Sequence, residues 1–191
     1  QRQLLSILAT AEKLKDVMRH SYTSGGRQES VAEHSWRLAL MAMLLKDEFS
    51  DIDINKVIKM CLIHDIGEAF TGDIPAFIKT AEDRQYESSV VTAWIDTLPE
   101  GLQSTMLELF DEMDTLDTDE AKLFKSLDKL EALIQHNEAN ISTWLDLEYA
   151  LQIEYANKEC SFHPYIKELR ALVKKDTINK IGENTSGKEN Q

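Results

Sequence analysis

Two histidines stand where a helical pattern asks for apolar side chains. His34 interrupts the stripe Val31, Leu38, Met41, Leu45, and His64 follows Val57 and Cys61 on another. Either one alone is ordinary in a protein core. His64, however, is followed at once by Asp65 and one turn later by Glu68, just ahead of Thr71-Gly72-Asp73-Ile74-Pro75. Residues four apart share a helix face, so an imidazole and a carboxylate project together there. Burying three ionisable groups at one helix end costs too much unless they serve one another or a cation. Imidazole nitrogen with carboxylate oxygen suits a borderline divalent metal such as Mn, Fe, Co, Ni or Zn. A fourth ligand would come from another helix. Asp128, one turn beyond Phe124, is the candidate. Taken alone it is a border residue at a solvated helix edge, and the other three give it weight.

The elements that must carry these groups are helices. Leu4, Leu8, Ala11, Leu14 and Met18 mark a first one, running into a polar loop over residues 19–27 that holds Gly25-Gly26. Ser30 and Glu33 form a capping-box pattern that starts a second near Val31. Asp53 can cap a third, which should carry through Glu68 and break at Thr71-Gly72. A fourth is expected over residues 81–98, with Tyr86, Val90 and Trp94 inward. A fifth follows Pro99 and carries Leu102, Met106, Leu109 and Met113. Asp117 or Thr118 caps a sixth, striped by Leu123, Leu127, Leu130 and Ile134. A seventh shows Trp144, Leu147, Leu151 and Tyr155, and the last begins at Pro164. With 7 Gly and 3 Pro in 191 residues there are too few turn formers for a sandwich or barrel. The expectation is an all-α bundle of about seven to eight helices, one domain over residues 1–181. Residues 182–191, polar and poor in large apolar side chains, are expected to form a disordered tail.

An early His, a His-Asp doublet and a distant Asp together resemble the HD-domain superfamily of metal-dependent phosphohydrolases. Closer still, His64-Asp65-Ile66-Gly67-Glu68-Ala69-Phe70-Thr71-Gly72-Asp73-Ile74-Pro75 looks like the bacterial 5′-deoxynucleotidase branch and its eukaryotic relatives. The resemblance spans roughly residues 1–175. It implies one divalent ion, Mg joining the metals above, held by His34, His64, Asp65 and Asp128. It also implies that Glu68 orients or deprotonates the attacking water, that Asp73 holds the sugar 3′-hydroxyl, and that Arg19 contacts the phosphate. The implied activity is hydrolysis of (deoxy)ribonucleoside 5′-monophosphates to nucleoside and phosphate. The alternatives are a hydrolase of another nucleotide phosphate or pyrophosphate, and a non-catalytic metal- and nucleotide-binding regulator. Glu68 favours catalysis, because a binder needs no base beside its metal.

The N-terminal loop departs from the branch. Where the bacterial enzyme has a Trp after its phosphate-binding Arg, involved in choosing deoxyribose over ribose, this chain has His20. Arg27 is a second basic position, serving phosphate or pairing with a neighbouring acid. Lys79, after the Pro75 loop, lines the same mouth or lies on the surface.

Charge narrows the partners. The net charge of −13, from 34 acidic and 21 basic residues, repels polymeric nucleic acid and lacks a basic footprint. A small nucleotide remains a fitting substrate if a metal or arginine reverses the field locally. No run of about 18 apolar residues would span a membrane. Cys61 in an apolar helical pattern suits a reduced cytoplasmic protein. The resemblance also implies a homodimer; the apolar side chains of the later helices, Trp144, Leu147, Leu151 and Tyr155, either supply a self-complementary face for it or pack the core.

Overall fold

The computed structural model describes residues 1–189. The elements are α1 (Arg2–Glu12), β1 (Met18–Tyr22), β2 (Gln28–Ser30), α2 (Val31–Leu44), α3 (Ile54–Ile63), α4 (Glu68–Thr71), α5 (Ala81–Ile95), α6 (Glu100–Thr115), α7 (Asp119–Glu138), α8 (Asp146–Glu154) and α9 (Pro164–Glu189). The architecture is all-α apart from the two-stranded β1–β2 sheet. The chain groups into two compact units. The first is Gln1–His20 with Glu29–Phe124; the second is Ser21–Gln28 with the chain from Lys125 onward. Among the described residues, no helix is long and apolar enough to cross a membrane.

In the first unit, Leu14, Val31, Ile66, Val91, Ile95 and Leu98 form a buried cluster. The capping signals act as expected. Ser30 accepts from the Glu33 amide while Glu33 reaches back to Ser30, starting α2. Asp53 accepts from the amides of Asn55 and Lys56 at the head of α3.

Three departures come from local chemistry. Residues 18–30, expected as the end of α1 and a polar loop, form the β1–β2 hairpin. Thr23 and Gly26 close its turn, with Thr23 N–H donating to Arg27 O at 2.8 Å and Gly26 N–H to Thr23 O at 2.9 Å. The third helix stops at Ile63 rather than carrying through Glu68. The chain then tightens into bonds spanning three residues, Ile66 N–H to Ile63 O at 3.0 Å and Glu68 N–H to Asp65 O at 3.0 Å. Gly72, at φ 76°, ends that winding in a backbone region few other residues enter without strain. On α5 the inward face is Val91 and Ile95, while Tyr86 is exposed and Val90 and Trp94 are only half-buried. The cause is Gly67. A Cβ there would lie 2.7 Å from Glu87 Cγ and 2.9 Å from Val91 Cγ2, so α5 packs directly onto its backbone.

In the second unit, Leu127, Leu130 and Leu133 of α7 are buried, as are Trp144, Cys160, and Ile166 and Val173 of α9. The inward side of α8 is polar. Glu148 and Gln152 are buried, and Glu148 accepts from Leu145 N–H at 2.7 Å and pairs with His136 Nε2 at 3.0 Å. From α9, buried Arg170 donates to the carbonyls of Gln152, Ile153 and Tyr155 at 3.0, 2.9 and 2.9 Å. Gln152 and Ile153 lie in the last turn of α8, whose carbonyls have no helical partners, and Tyr155 follows directly after it. The expected tail begins at Gly182, yet α9 continues through Glu189. Once a helix is nucleated each residue adds a bond, and no proline stops it. Residues 190 and 191 lie outside the described residues.

Candidate metal centre

The end of α3 and the first turn of α2 bring the two histidines together. His34 is fully buried, and its ring lies edge-on to that of His64 at 5.4 Å. His64 closes α3, where its Nδ1 lies 3.0 Å from the Cys61 carbonyl. That nitrogen therefore carries the hydrogen and donates it, leaving Nε2 to face Asp65 Oδ2 at 2.9 Å. A ring lone pair and a carboxylate repel at that range unless a proton or a cation lies between them. His34 Nε2 is 4.0 Å from the same oxygen. One donor atom from each of the three residues lies within 4.8 Å of the others, a nitrogen–nitrogen–oxygen set that fits a divalent metal. Phe124 lies edge-on to His64 at 5.3 Å.

Charge surrounds this cluster. Burial pushes the Asp65 pKa up, but the charge and hydrogen bond of His64, with His34 and Arg19, outweigh it. Asp65 is held well below the usual carboxylate range. Arg19, on β1, directs Nη1 to Asp65 Oδ2 at 3.6 Å and Nε to Glu29 Oε2 at 3.3 Å.

Glu68 opens α4 and is 4% exposed. Its Oε2 is buried without a hydrogen-bond partner. Burial first, then the charges of Asp65 and Asp73, push its pKa up to about 10 against the pull of Arg19. Asp73, half-buried after Gly72, is also raised, chiefly by burial and then by Asp65. Arg19, the backbone N–H of His20 and Lys79 pull the other way.

The His20 ring lies edge-on to Phe77 at 5.8 Å. Lys79 is ion-paired with Glu87 of α5. The first unit thus gathers His34, His64, Asp65, Arg19, Glu68 and Asp73 around one another, with His20 hydrogen-bonded to Asp73. Arg27 and Asp128 belong to the second unit. Arg27 is exposed, its Nη1 donating to Gln28 O at 3.1 Å, and Asp128 accepts from Lys125 Nζ at 2.8 Å. Nothing in the composition or helical spacing singles out Glu29, which is 2% exposed. Only the hairpin, by setting β2 beside β1, reveals it as the partner of Arg19.

The HD domain family model matches residues 11–170. The 5′-deoxynucleotidase HDDC2 of Homo sapiens is 35% identical over 176 residues, covering 88% of this chain and 83% of that protein. Its namesake in Dictyostelium discoideum is 30% identical, covering 86% and 93%. Among solved structures, one described as a predicted metal-dependent phosphohydrolase from Magnetospirillum magnetotacticum MS-1 matches with a TM-score of 0.77. It is 26% identical and covers 96% of both chains. A conserved hypothetical protein from Pyrococcus furiosus matches with a TM-score of 0.71 and 31% identity, covering 90% of this chain and 99% of that one. With the family model spanning most of its length and the His-Asp doublet at the centre of its buried cluster, the chain belongs to the HD-domain family.

Proposed function

We propose that the protein is a metal-dependent phosphomonoesterase that hydrolyses (deoxy)ribonucleoside 5′-monophosphates to nucleoside and phosphate. The observation that carries this reading is the convergence of His34, His64 and Asp65, with buried Glu68 on the next winding of the chain. Relatives named 5′-deoxynucleotidase over most of their length supply the substrate class.

In this reading His34, His64, Asp65 and Asp128 hold one divalent ion, drawn from Mn, Co, Fe, Ni, Zn and Mg. When bound, such an ion lowers the pKa of a coordinated water toward about 7 and offsets phosphate charge. Arg19 offers its fork of N–H donors to phosphate oxygens. Asp73 accepts the hydrogen bond of the sugar 3′-hydroxyl. Glu68 Oε2, with no partner of its own, takes the proton of the attacking water. Arg27, on the hairpin, is a further basic group for the phosphate.

The test is phosphate release from paired deoxyribo- and ribonucleoside monophosphates with Mn or Co added. Release from none of them overturns the reading. The same panel examines His20. Its backbone N–H bonds Asp73 and its ring, smaller than an indole, lies beside Phe77. The parent protein is expected to accept AMP within about tenfold of dAMP by kcat/KM, since such pockets discriminate a hydroxyl only modestly. His20→Trp is expected to widen that ratio; an unchanged ratio means that His20 does not face the sugar.

We further propose a cytoplasmic homodimer. Both cysteines are free and buried, which fits a reducing compartment. Of the side chains expected on the dimer face, Trp144 is instead buried beside the rings of His136 and Tyr149, and Leu151 and Tyr155 are half-buried. Leu147 remains exposed, as do Leu145 and, on α9, Leu172 and Ile178. Light scattering at micromolar concentration should give twice the chain mass of 21.8 kDa. A single-chain mass removes the dimer.

A further inference from the structure

We infer that Glu29 is a positioning residue, setting the guanidinium of Arg19 in the orientation that receives the substrate phosphate. The inference rests on the proposed reading of Arg19 as the phosphate-binding group.

A buried carboxylate needs a charged or hydrogen-bonding partner to offset its lost hydration. Glu29 faces Arg19 Nε at 3.3 Å, with side chains only 3% and 15% exposed. A guanidinium is a rigid plane with five donors, so fixing its Nε side fixes the directions of both terminal nitrogens. One of these, Nη1, points to Asp65 Oδ2 at 3.6 Å, the oxygen shared with His34 and His64. The terminal end of Arg19 is thereby aimed at the cluster.

The seat of Glu29 is firm. The next residue, Ser30, is locked in the capping box of α2, and Val31 N–H donates to Val17 O at 2.9 Å, tying the helix start to the approach of β1. Ordering a long arginine side chain is thus settled in folding rather than at the moment of binding, which favours affinity. The rival role for Glu29 is toward the metal, because one of its oxygens lies within 4.8 Å of a His34 ring nitrogen. The two roles predict different measurements.

The experiment is a double-mutant cycle on the metal-loaded protein with Glu29→Gln, Arg19→Ala and their combination, Glu29→Asp being added as the charge-keeping variant. The readouts are KM and kcat for dAMP, the inhibition constant of inorganic phosphate, and metal content. Glu29→Gln is expected to raise KM and the phosphate inhibition constant together by about tenfold, a coupling typical of residues in one network. The kcat and metal content should stay near the parental values. Glu29→Asp should recover part of the loss, and Glu29→Gln should add nothing once Arg19 is alanine. Effects that add in the double variant, or a fall in metal content, overturn the positioning role and leave the phosphate assignment standing. If Arg19→Ala leaves both KM and phosphate inhibition unchanged, the assignment of Arg19 fails and the role of Glu29 falls with it.

Discussion

Asp65→Ala is expected to leave purification without stoichiometric metal and with phosphate release reduced by about 10³-fold or more. That scale follows from losing the means to form hydroxide at neutral pH. Asp65 Oδ2 is the atom on which His34, His64 and Arg19 all converge, at 4.0, 2.9 and 3.6 Å. No other single change in the first unit removes the shared oxygen. The parent protein treated with a chelator should show the same loss, restored by adding Mn or Co, whereas Asp65→Ala should not be restored. Metal bound to Asp65→Ala at parental stoichiometry and affinity refutes the ligand assignment.

The second large effect is expected at Glu68, where activity and stability should move in opposite directions. Glu68→Gln keeps the shape but cannot take a proton, so turnover should fall by about 10²–10⁴-fold with metal content retained. Stability should rise. The carboxyl pKa goes from the ordinary 4.5 to about 10 on folding. Its contribution is therefore complete below about 4.5 and is lost progressively as the pH climbs toward 10. In the metal-free protein at neutral pH the folded state keeps a proton on Glu68 that the unfolded chain has released; the charge of a bound cation would favour its release, as a proton acceptor requires. A neutral amide removes this penalty, which in the metal-free protein at pH 7.5 is at most about 4 kcal/mol, three pH units above 4.5 at about 1.4 kcal/mol each. For a chain of this size Tm rises about 2–4 °C per kcal/mol. Thermal unfolding at pH 7.5 with chelator present, beside turnover with metal, measures both. A variant with parental turnover means that Glu68 is not the proton acceptor.

Sequence and structure agree most closely where a side chain acts on its own backbone neighbourhood. Ser30 with Glu33, Asp53 ahead of α3, and the break at Gly72 are local devices, legible from a few adjacent residues. The His64-Asp65 doublet is legible for the same reason. What is not local is hidden. The strands of the hairpin are mostly polar and too short to show alternation, so Arg19 and Glu29 give no sign that they will meet. The inward face of α5 is set by the bare backbone of Gly67, and apolar stripes lead to Tyr86 instead. On α8 the buried side chains are Glu148 and Gln152, which a search for apolar periodicity passes over because hydrogen bonds, not hydrocarbon, hold them inside.

The arginine that closes α8 also orders events in time. Arg170 stands 15 to 18 residues beyond the carbonyls it satisfies. Farther along α9, Thr177 Oγ1 donates to Asn137 Oδ1 at 3.0 Å while Asn137 Nδ2 donates to Val173 O at 3.2 Å, stitching α9 to the end of α7. A chain leaving the ribosome in sequence, at roughly 5–20 residues per second, has made every proposed metal ligand before it makes these ties. Its histidines and carboxylates emerge early, but the helix bearing Asp128 gains its last supports only when α9 follows.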